Sequence, residues 1–238
     1  MEFANREVMD LTIVDYVTKA PFMVLDYANT TATEVTGEAV YAYGGQGHPK
    51  RVVFHGDKGG TLIIETQMQT MKLYSFMTGA DIATTAKYFE NEEIVATEDG
   101  KLTIAGTVAE GAEVFVYEAD SDLSNAMEGT YTSGTFTATG IKKGTKYYAI
   151  YMKNQTEKVQ TINIKNTTFP KNFAAYGKTI SVGDDGTAFT QRLTAYKLSP
   201  QPTFSLNFAN NGEPSTVTIT CDLLVDADGN LMDLVTEG

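Results

Sequence analysis

The sequence predicts a mainly β protein of the sandwich or barrel type with one short helix. Apolar and polar residues alternate at a period of two over several short segments, which is typical of half-buried strands. Glycine-containing turns separate these segments at spacings of roughly ten residues, and this spacing favours a sandwich or a barrel. Thr, Val, Tyr and Gly are prominent in the composition, a mixture that suits strands and tight turns.

The first half of the chain contains three predicted strands and a glycine-rich loop. Val35–Tyr43 alternates at period two and predicts a strand. Arg51–His55 and Thr61–Gln67 predict a pair of strands, with Gly56–Gly60 as the hairpin turn between them. The loop Gly44–Lys50 holds three glycines and a proline, which predicts a flexible or sharply turned connection.

The sequence contains one clear helix candidate, from about Gln67 to Thr78. Apolar residues recur there at steps of roughly three to five residues, and Gly79 supplies a stop signal. Met68, Met71 and Met77 make the apolar face rich in methionine. We expect this face to pack against the sheet; a promiscuous binding face is the alternative, because methionine adapts to many partners.

The second half of the chain is dominated by predicted strands. Residues 147, 149 and 151 face one way and residues 148, 150 and 152 the other, and both sets are mostly apolar, which predicts a strand buried on both faces. Asp184–Gly186 predicts a turn into the strand Phe189–Leu198. The alternation in Thr203–Phe208 and in Thr216–Val225, with a turn at 210–212 between them, predicts a terminal hairpin.

Charge and cysteine content limit the classes of function. The chain has 18 basic and 30 acidic residues, a formal charge of -12, which disfavours tight nucleic-acid binding. The single cysteine, Cys221, lies in a strand-like run and is expected to be buried and inert. Met1–Asp10 does not resemble a signal peptide, and no apolar stretch approaches the ~20 residues of a membrane helix. We therefore expect a protein made in a cytoplasm, with no membrane anchor.

The residues do not form a recognisable catalytic or metal-binding set. The only histidines, His48 and His55, lack an accompanying nucleophile elbow, and with Asp57 they supply at most three zinc ligands. The loop Gly44–Lys50 resembles a phosphate cradle only superficially, because it enters the β-like run Arg51–His55 instead of a helix.

Two further acidic patterns have simpler interpretations than a functional site. Asp226, Asp228, Asn230 and Glu237 match calcium-loop positions, but Leu231 occupies the position that needs glycine, so a turn at 228–230 is the better interpretation. Two acidic clusters in loop-like segments favour a solvated or lumen-facing role, since the chain has no Trp to stack on a sugar; they are Glu90, Glu92 and Glu93, and Glu118, Asp120 and Asp122. We predict no enzyme activity and no catalytic, cofactor-binding or metal-binding residues.

Several segments, in order and spacing over nearly the whole chain, resemble the major tail tube proteins of tailed bacteriophages of Gram-positive hosts. The segments that carry the resemblance are Arg6–Tyr16, Val40–Lys58, Gly111–Tyr117, Thr168–Lys171, Thr203–Leu206 and Thr216–Leu224. The resemblance implies a tail-tube-like fold over 1–238, with 102–164 as an inserted or elaborated Ig-like β subdomain.

The resemblance also implies a function and partners. It implies a structural virion protein that forms homo-oligomers, as hexameric rings stacked helically into the tail tube, through which DNA passes during genome ejection without specific binding. The baseplate and a tape measure protein are partners that it implies, and a tail sheath is a further partner if the tail is contractile. We expect a glycine-rich, adaptable loop to contact neighbouring subunits; its residues are Gly44, Gly45, Gln46, Gly47, His48, Pro49 and Lys50.

Three alternatives remain open at the level of sequence. Another virion structural protein with an Ig-like domain, such as a capsid decoration or baseplate component, would form discrete oligomers instead of tubes. A cell-wall carbohydrate hydrolase would lose turnover when a carboxylate is changed. A secreted or surface adhesin is disfavoured by the N-terminal sequence and by the lack of disulfides.

Overall fold

The computed structural model describes residues 2–121, 123–208, 210 and 212–237. It is mainly β, as predicted. Numbered along the chain, the elements are β1 (Phe3–Asn5), β2 (Asp10–Asp15), β3 (Pro21–Leu25), β4 (Thr30–Tyr43), β5 (Lys50–Thr66), α1 (Met71–Thr78), β6 (Ile82–Ala83), β7 (Ala86–Val95), β8 (Lys101–Thr103), β9 (Val114–Glu118), β10 (Thr130–Thr132), β11 (Thr135–Thr137), β12 (Lys146–Gln155), β13 (Thr161–Ile162), β14 (Phe173–Gly183), β15 (Ala188–Pro200), β16 (Val217–Leu223) and β17 (Met232–Glu237).

The chain divides into two compact units, one formed by residues 1–81 with 162–238 and the other by residues 82–161. The second unit therefore lies between the two halves of the first in the sequence. The second unit, residues 82–161, does not have the same bounds as the Ig-like insertion expected at 102–164. The expectation of a single tail-tube domain with such an insertion stays a prediction.

The first unit is built on one nine-stranded antiparallel sheet. Its strand order is β3-β2-β14-β15-β16-β5-β4, with β1 added beside β14 and β17 beside β15. Alternation in β14 and β16 places every second side chain inward, as the period-two pattern requires. The apolar core residues come from one face of this sheet and from α1; among them are Leu11, Ile13, Leu62, Ile64, Phe76, Phe173, Ala195, Leu198 and Cys221.

Helix α1 is shorter than predicted and closes this core. Thr70 is its N-cap, where Oγ1 accepts a 3.1 Å hydrogen bond from the Leu73 amide, so the helix begins at Met71 and not at Gln67. Gly79 ends it at φ 72°, as the stop signal predicted. Met77 is buried in the core, whereas Met68 precedes the helix and is 61% exposed, so only part of the methionine face packs inward.

The second unit contains two three-stranded antiparallel sheets around one core. Their orders are β7-β12-β9 and β10-β11-β8. Side chains from both sheets form this core; the fully buried ones include Leu102, Val116, Phe136, Tyr147, Ala149 and Tyr151. The opposite face of β12 is half-buried at Tyr148, Ile150 and Met152, so the prediction of burial on both faces is correct for one face only.

Three local predictions are wrong. Gly56–Gly60 is not a turn, because it lies inside the continuous strand β5 and pairs with β4. Thr203–Phe208 is not in a strand, and Asn211 of the predicted turn lies outside the described residues. Glu90, Glu92 and Glu93 lie in strand β7 and not in a loop. The hairpin turn at Asp184–Gly186 is confirmed between β14 and β15.

No helix in the described ranges is long and apolar enough to cross a membrane.

Candidate assembly surface

The most prominent candidate surface is the outer part of the β4–β5 hairpin, residues 36–58, which we call the arm. The paired residues of β4 and β5 run from Thr30–Glu65 to Tyr43–Lys50. The neighbouring strand β16 pairs with β5 only over 60–66, so the outer part of the hairpin extends beyond the rest of the sheet. Its base is anchored by Leu62 and Ile64, which are fully buried. Every residue of the arm is exposed except the half-buried Gly44.

Both faces of the arm carry apolar side chains. One face shows Val40 beside Phe54, which are 65% and 60% exposed. The other shows Tyr41 beside Val53, with Tyr43 farther out at 60% exposure. An isolated two-stranded ribbon is marginally stable in water, and a contiguous exposed apolar surface marks an association site.

The tip of the arm holds all seven residues that the sequence predicted as an inter-subunit contact. It is hydrogen-bonded: the Gly44 amide donates to the Pro49 carbonyl at 3.3 Å, and the His48 amide donates to the Gly45 carbonyl at 3.2 Å. Gly45 and Gly47 have φ near 85°, which favours glycine at both positions. The tip is therefore a defined turn and not a flexible connection.

Cationic side chains concentrate at this tip. Lys50 Nζ lies 3.7 Å from the centroid of the Tyr41 ring. Arg51 Nε donates a 3.1 Å hydrogen bond to the Gly44 carbonyl. The tip thus presents two positive charges on a chain whose net charge is -12.

The histidines do not form a site with other ligands. His48 is at the tip of the arm, whereas His55 lies farther down β5, opposite Ala39. Across the described part of the chain, no three His, Cys, Asp or Glu side chains are close enough together to hold a metal ion.

The calcium-like pattern forms a turn closed by its own carboxylate. Asp226 Oδ1 accepts hydrogen bonds from the Asp228 and Asn230 amides at 3.0 and 2.7 Å. The Asn230 amide in particular holds the pKa of Asp226 below its ordinary value. Glu237 instead pairs with Arg192, with 2.7 Å between Oε1 and Nε. The four residues are therefore not arranged as a calcium loop.

The acidic residues of β7 are engaged in the structure of the second unit. Glu92 accepts hydrogen bonds from the Ala105 amide at 2.9 Å and from the Tyr151 hydroxyl at 2.6 Å. Burial, followed by this hydrogen bond, raises the pKa of Tyr151 above its ordinary value. Glu90 pairs with Lys153, with 2.8 Å between the charged atoms. Sequence reasoning missed these contacts, because the partners are far apart along the chain.

The second acidic cluster is only partly described. Glu118 ends strand β9 and Asp120 lies in the turn after it, both exposed, and Asp122 lies outside the described residues. The thiol of Cys221 is fully buried, as predicted, and burial raises its pKa to about 12.

The described residues also leave strand edges without partners. The sheet of the first unit ends in β3 on one side and β4 on the other, and neither end strand has a second neighbour within the described ranges. Thr203–Phe208 has the alternation of a strand and no ladder, with Phe208 90% exposed. Unpaired edges of this kind pair readily with another chain.

Comparison with known proteins identifies a family. No curated protein matches the sequence. The model of the family described as YomU/Tube protein family matches residues 5–235, which include both compact units except at the ends of the chain. A match of this extent suggests a tube-like structural component of a phage virion. The chain belongs to the YomU/Tube protein family.

Proposed function

We propose that the chain is a non-enzymatic virion protein that self-assembles into hexameric rings, stacked as the tube of a phage tail. The exposed arm is the observation that supports this most directly. Membership of the YomU/Tube protein family supports assembly into a tube. The proposal of six copies in each ring rests on the resemblance of the sequence to major tail tube proteins.

The apolar side chains of the arm are not buried by any other described residues of the chain. Apolar side chains on both of its faces are exposed, including Val40 and Phe54 at 65% and 60%. Burying apolar surface stabilises an association by roughly 25 cal/mol per Å² before the costs of binding. We propose that a neighbouring copy covers the arm and that the tip, Gly44–Lys50, contacts the next ring.

The free edges of the sheet suit closure between copies. A ring in which the β3 edge of one copy and the β4 edge of the next are bridged would join the two ends of the strand path β3-β2-β14-β15-β16-β5-β4. Closed barrels remove the edges that otherwise cause uncontrolled aggregation. The resemblance to tail tube proteins implies such a continuous inner barrel.

The net charge suits a conduit for DNA. Six copies at -12 each give 6 × -12 = -72 per ring. An excess of negative charge repels phosphate, so DNA would pass without being held on the wall. We propose that the baseplate and a tape measure protein are partners of the assembled tube, together with a sheath if the tail is contractile.

Electron microscopy of the full chain over a concentration series tests this proposal. We expect rings and hollow tubes for the unmodified chain. The paired change Val40→Thr with Phe54→Thr should abolish tubes, because it removes one apolar face of the arm. Phe89→Thr is the matched control, since it removes a 70% exposed aromatic ring outside the arm and should leave tubes intact.

Two outcomes would redirect the assignment. Discrete particles of one size at every concentration would favour a capsid decoration or baseplate role. Normal tubes from a chain whose tip, Gly44–Lys50, is replaced by a two-residue Asn-Gly turn would remove the tip from the inter-ring contact.

A further inference from the structure

Charges of opposite sign lie at the two ends of the same two strands in the first unit. At one end, three exposed or half-exposed lysines surround Tyr16; we call Lys19, Lys171 and Lys197 the lysine cluster. At the other end is the acidic turn, which consists of Glu2, Asp184 and Asp185.

The lysine cluster is held together by Tyr16. Lys19 Nζ and Lys197 Nζ lie 4.4 and 5.3 Å from the centroid of the same ring. The Tyr16 amide donates a 3.1 Å hydrogen bond to the carbonyl of residue 172, which places Lys171 beside it. Among the described residues, none of the three ammonium groups lies within 4 Å of a carboxylate oxygen.

The carboxylate of Asp15, which precedes Tyr16 in the chain, is hydrogen-bonded within its own turn. Asp15 Oδ1 accepts hydrogen bonds from the Val17 amide, the Thr18 amide and the Thr18 hydroxyl at 3.0, 2.8 and 3.0 Å. These bonds, chiefly those from Thr18, lower the pKa of Asp15, and the positive charge of Lys171 lowers it further. The three lysines and Asp15 together carry a formal charge of +2.

The acidic turn joins β14 to β15 and lies beside the start of the chain. The Asp184 amide donates a 3.0 Å hydrogen bond to the Glu2 carbonyl, and Phe3 pairs with Gly183. Asp185 Oδ1 accepts from the Thr187 amide at 2.9 Å, whereas no hydrogen bond of the Asp184 carboxylate is found among the described residues. No described salt bridge involves these three carboxylates.

The strand register fixes the separation of the two charged ends. Phe173 pairs with both Asp15 and Leu198 at one end of β14, and Val182 pairs with Ala188 at the other. The nine steps from Phe173 to Val182, at about 3.3 Å each, place the ends about 30 Å apart. A contact between them within one chain is therefore excluded by distance.

We propose that the acidic turn of one copy docks on the lysine cluster of the next copy, head to tail along the strands. Strands of a closed barrel tilt by about 35–45° from its axis, so their two ends face the neighbouring rings. A head-to-tail contact directed along the tube axis does not close on itself and can repeat from ring to ring, as stacking into a tube requires. The inference rests on the proposed function and adds the charged partner surfaces of the ring-to-ring contact.

Zero-length carbodiimide cross-linking of the full chain tests the contact directly, because it joins a carboxylate to an ammonium group only at salt-bridge distance. Mass spectrometry should find Glu2 or Asp184 joined to Lys19 or Lys171. A mixture of light and heavy-isotope chains should give mixed cross-linked peptides, since the two groups are too far apart within one chain. Abundant cross-links from the acidic turn to Lys50 instead, or none to the lysine cluster, would overturn the proposal.

Charge reversal supplies a second readout. We expect Glu2→Lys with Asp184→Lys, or Lys19→Glu with Lys171→Glu, to raise the critical concentration for tube growth at least about tenfold, because like charges then meet. All four changes together should restore growth to within about threefold of the unmodified chain. Glu110→Lys with Glu113→Lys is the matched control, at exposed positions of the second unit. Failure of the four-change variant to recover would contradict the contact.

The two readouts separate this inference from the proposed function. If the cross-links form but no tube appears at any concentration, the tube is wrong and the head-to-tail contact stands. If tubes form without the cross-links and are insensitive to reversal, the tube stands and the charged contact is wrong.

Discussion

The hydroxyl of Tyr151 donates a 2.6 Å hydrogen bond to Oε2 of Glu92, although the two residues are 59 positions apart in the chain. Glu92 also accepts from the Ala105 and Gly106 amides, at 2.9 and 3.4 Å. One carboxylate thereby connects strands β7 and β12 with the loop after β8. Through these three hydrogen bonds the acidic side chain at position 92 has a structural role in the second unit.

Removing either partner should loosen the second unit by different amounts. Tyr151→Phe should cost about 1 kcal/mol, because it removes one hydrogen bond. Glu92→Ala should cost more, about 2–3 kcal/mol, because it leaves three donors without their acceptor. Hydrogen exchange of the β7 and β12 amides measures both, and the double variant gives the coupling. Additive costs with no coupling would contradict the contact.

Alkaline pH should weaken the second unit through the same pair. The pKa of Tyr151 is raised above its ordinary value of 10.0 by burial and by the Glu92 carboxylate. Because the pKa of Tyr151 is higher in the folded state than in the unfolded state, the stabilisation that its neutral hydroxyl contributes is fully present below pH 10 and falls as the pH rises above it. Above about pH 10, amide exchange of β12 should therefore accelerate with pH more steeply than the intrinsic exchange rate of an unfolded chain does. Tyr151→Phe should flatten this dependence, and an unchanged slope in that variant would assign it to other groups.

Glycine at position 106 is required by the same tyrosine. A Cβ added to Gly106 would lie 2.0 Å from the Tyr151 hydroxyl oxygen. Gly106→Ala should therefore destabilise the second unit by about 1–3 kcal/mol, the usual range for overpacking. Gly59→Ala is the control, since a Cβ there meets no atom within 4 Å. Equal protection from exchange in both variants would contradict the close approach.

Much of the fold followed from local pattern, because alternation is a local property. The strand after the Asp184–Gly186 turn was predicted from its alternation, since one of its faces meets the core. Helix α1 was predictable from apolar spacing and from Gly79, although its start depended on the Thr70 cap. Burial of Cys221 followed from its place in an alternating run.

The remaining features depended on partners distant in the sequence. Gly56–Gly60 has the composition of a turn, and only its pairing with β4 makes it part of a strand. Thr203–Phe208 alternates like a strand but finds no partner among the described residues. The glycines of Gly44–Lys50 predict a contact loop, which stays a prediction. The apolar arm that carries this tip is visible only from the length of the paired strands.

The buried thiol gives a rapid check on the first unit. Cys221 is fully buried and its pKa is raised to about 12, so the reactive thiolate is scarce at pH 8. Alkylation by iodoacetamide should be slow in the native protein and fast in denaturant, as followed by mass spectrometry. Fast native labelling would show that the sheet opens at β16 and would contradict the packed core.

Helical reconstruction by electron cryo-microscopy of the assembled chain would show whether it builds a tail tube. We expect a hollow tube with six copies in each ring, in which the arm, residues 36–58, is covered by neighbouring copies and Gly44–Lys50 contacts the next ring. A closed particle without helical stacking, or a tube in which the arm lies exposed to solvent, would contradict it.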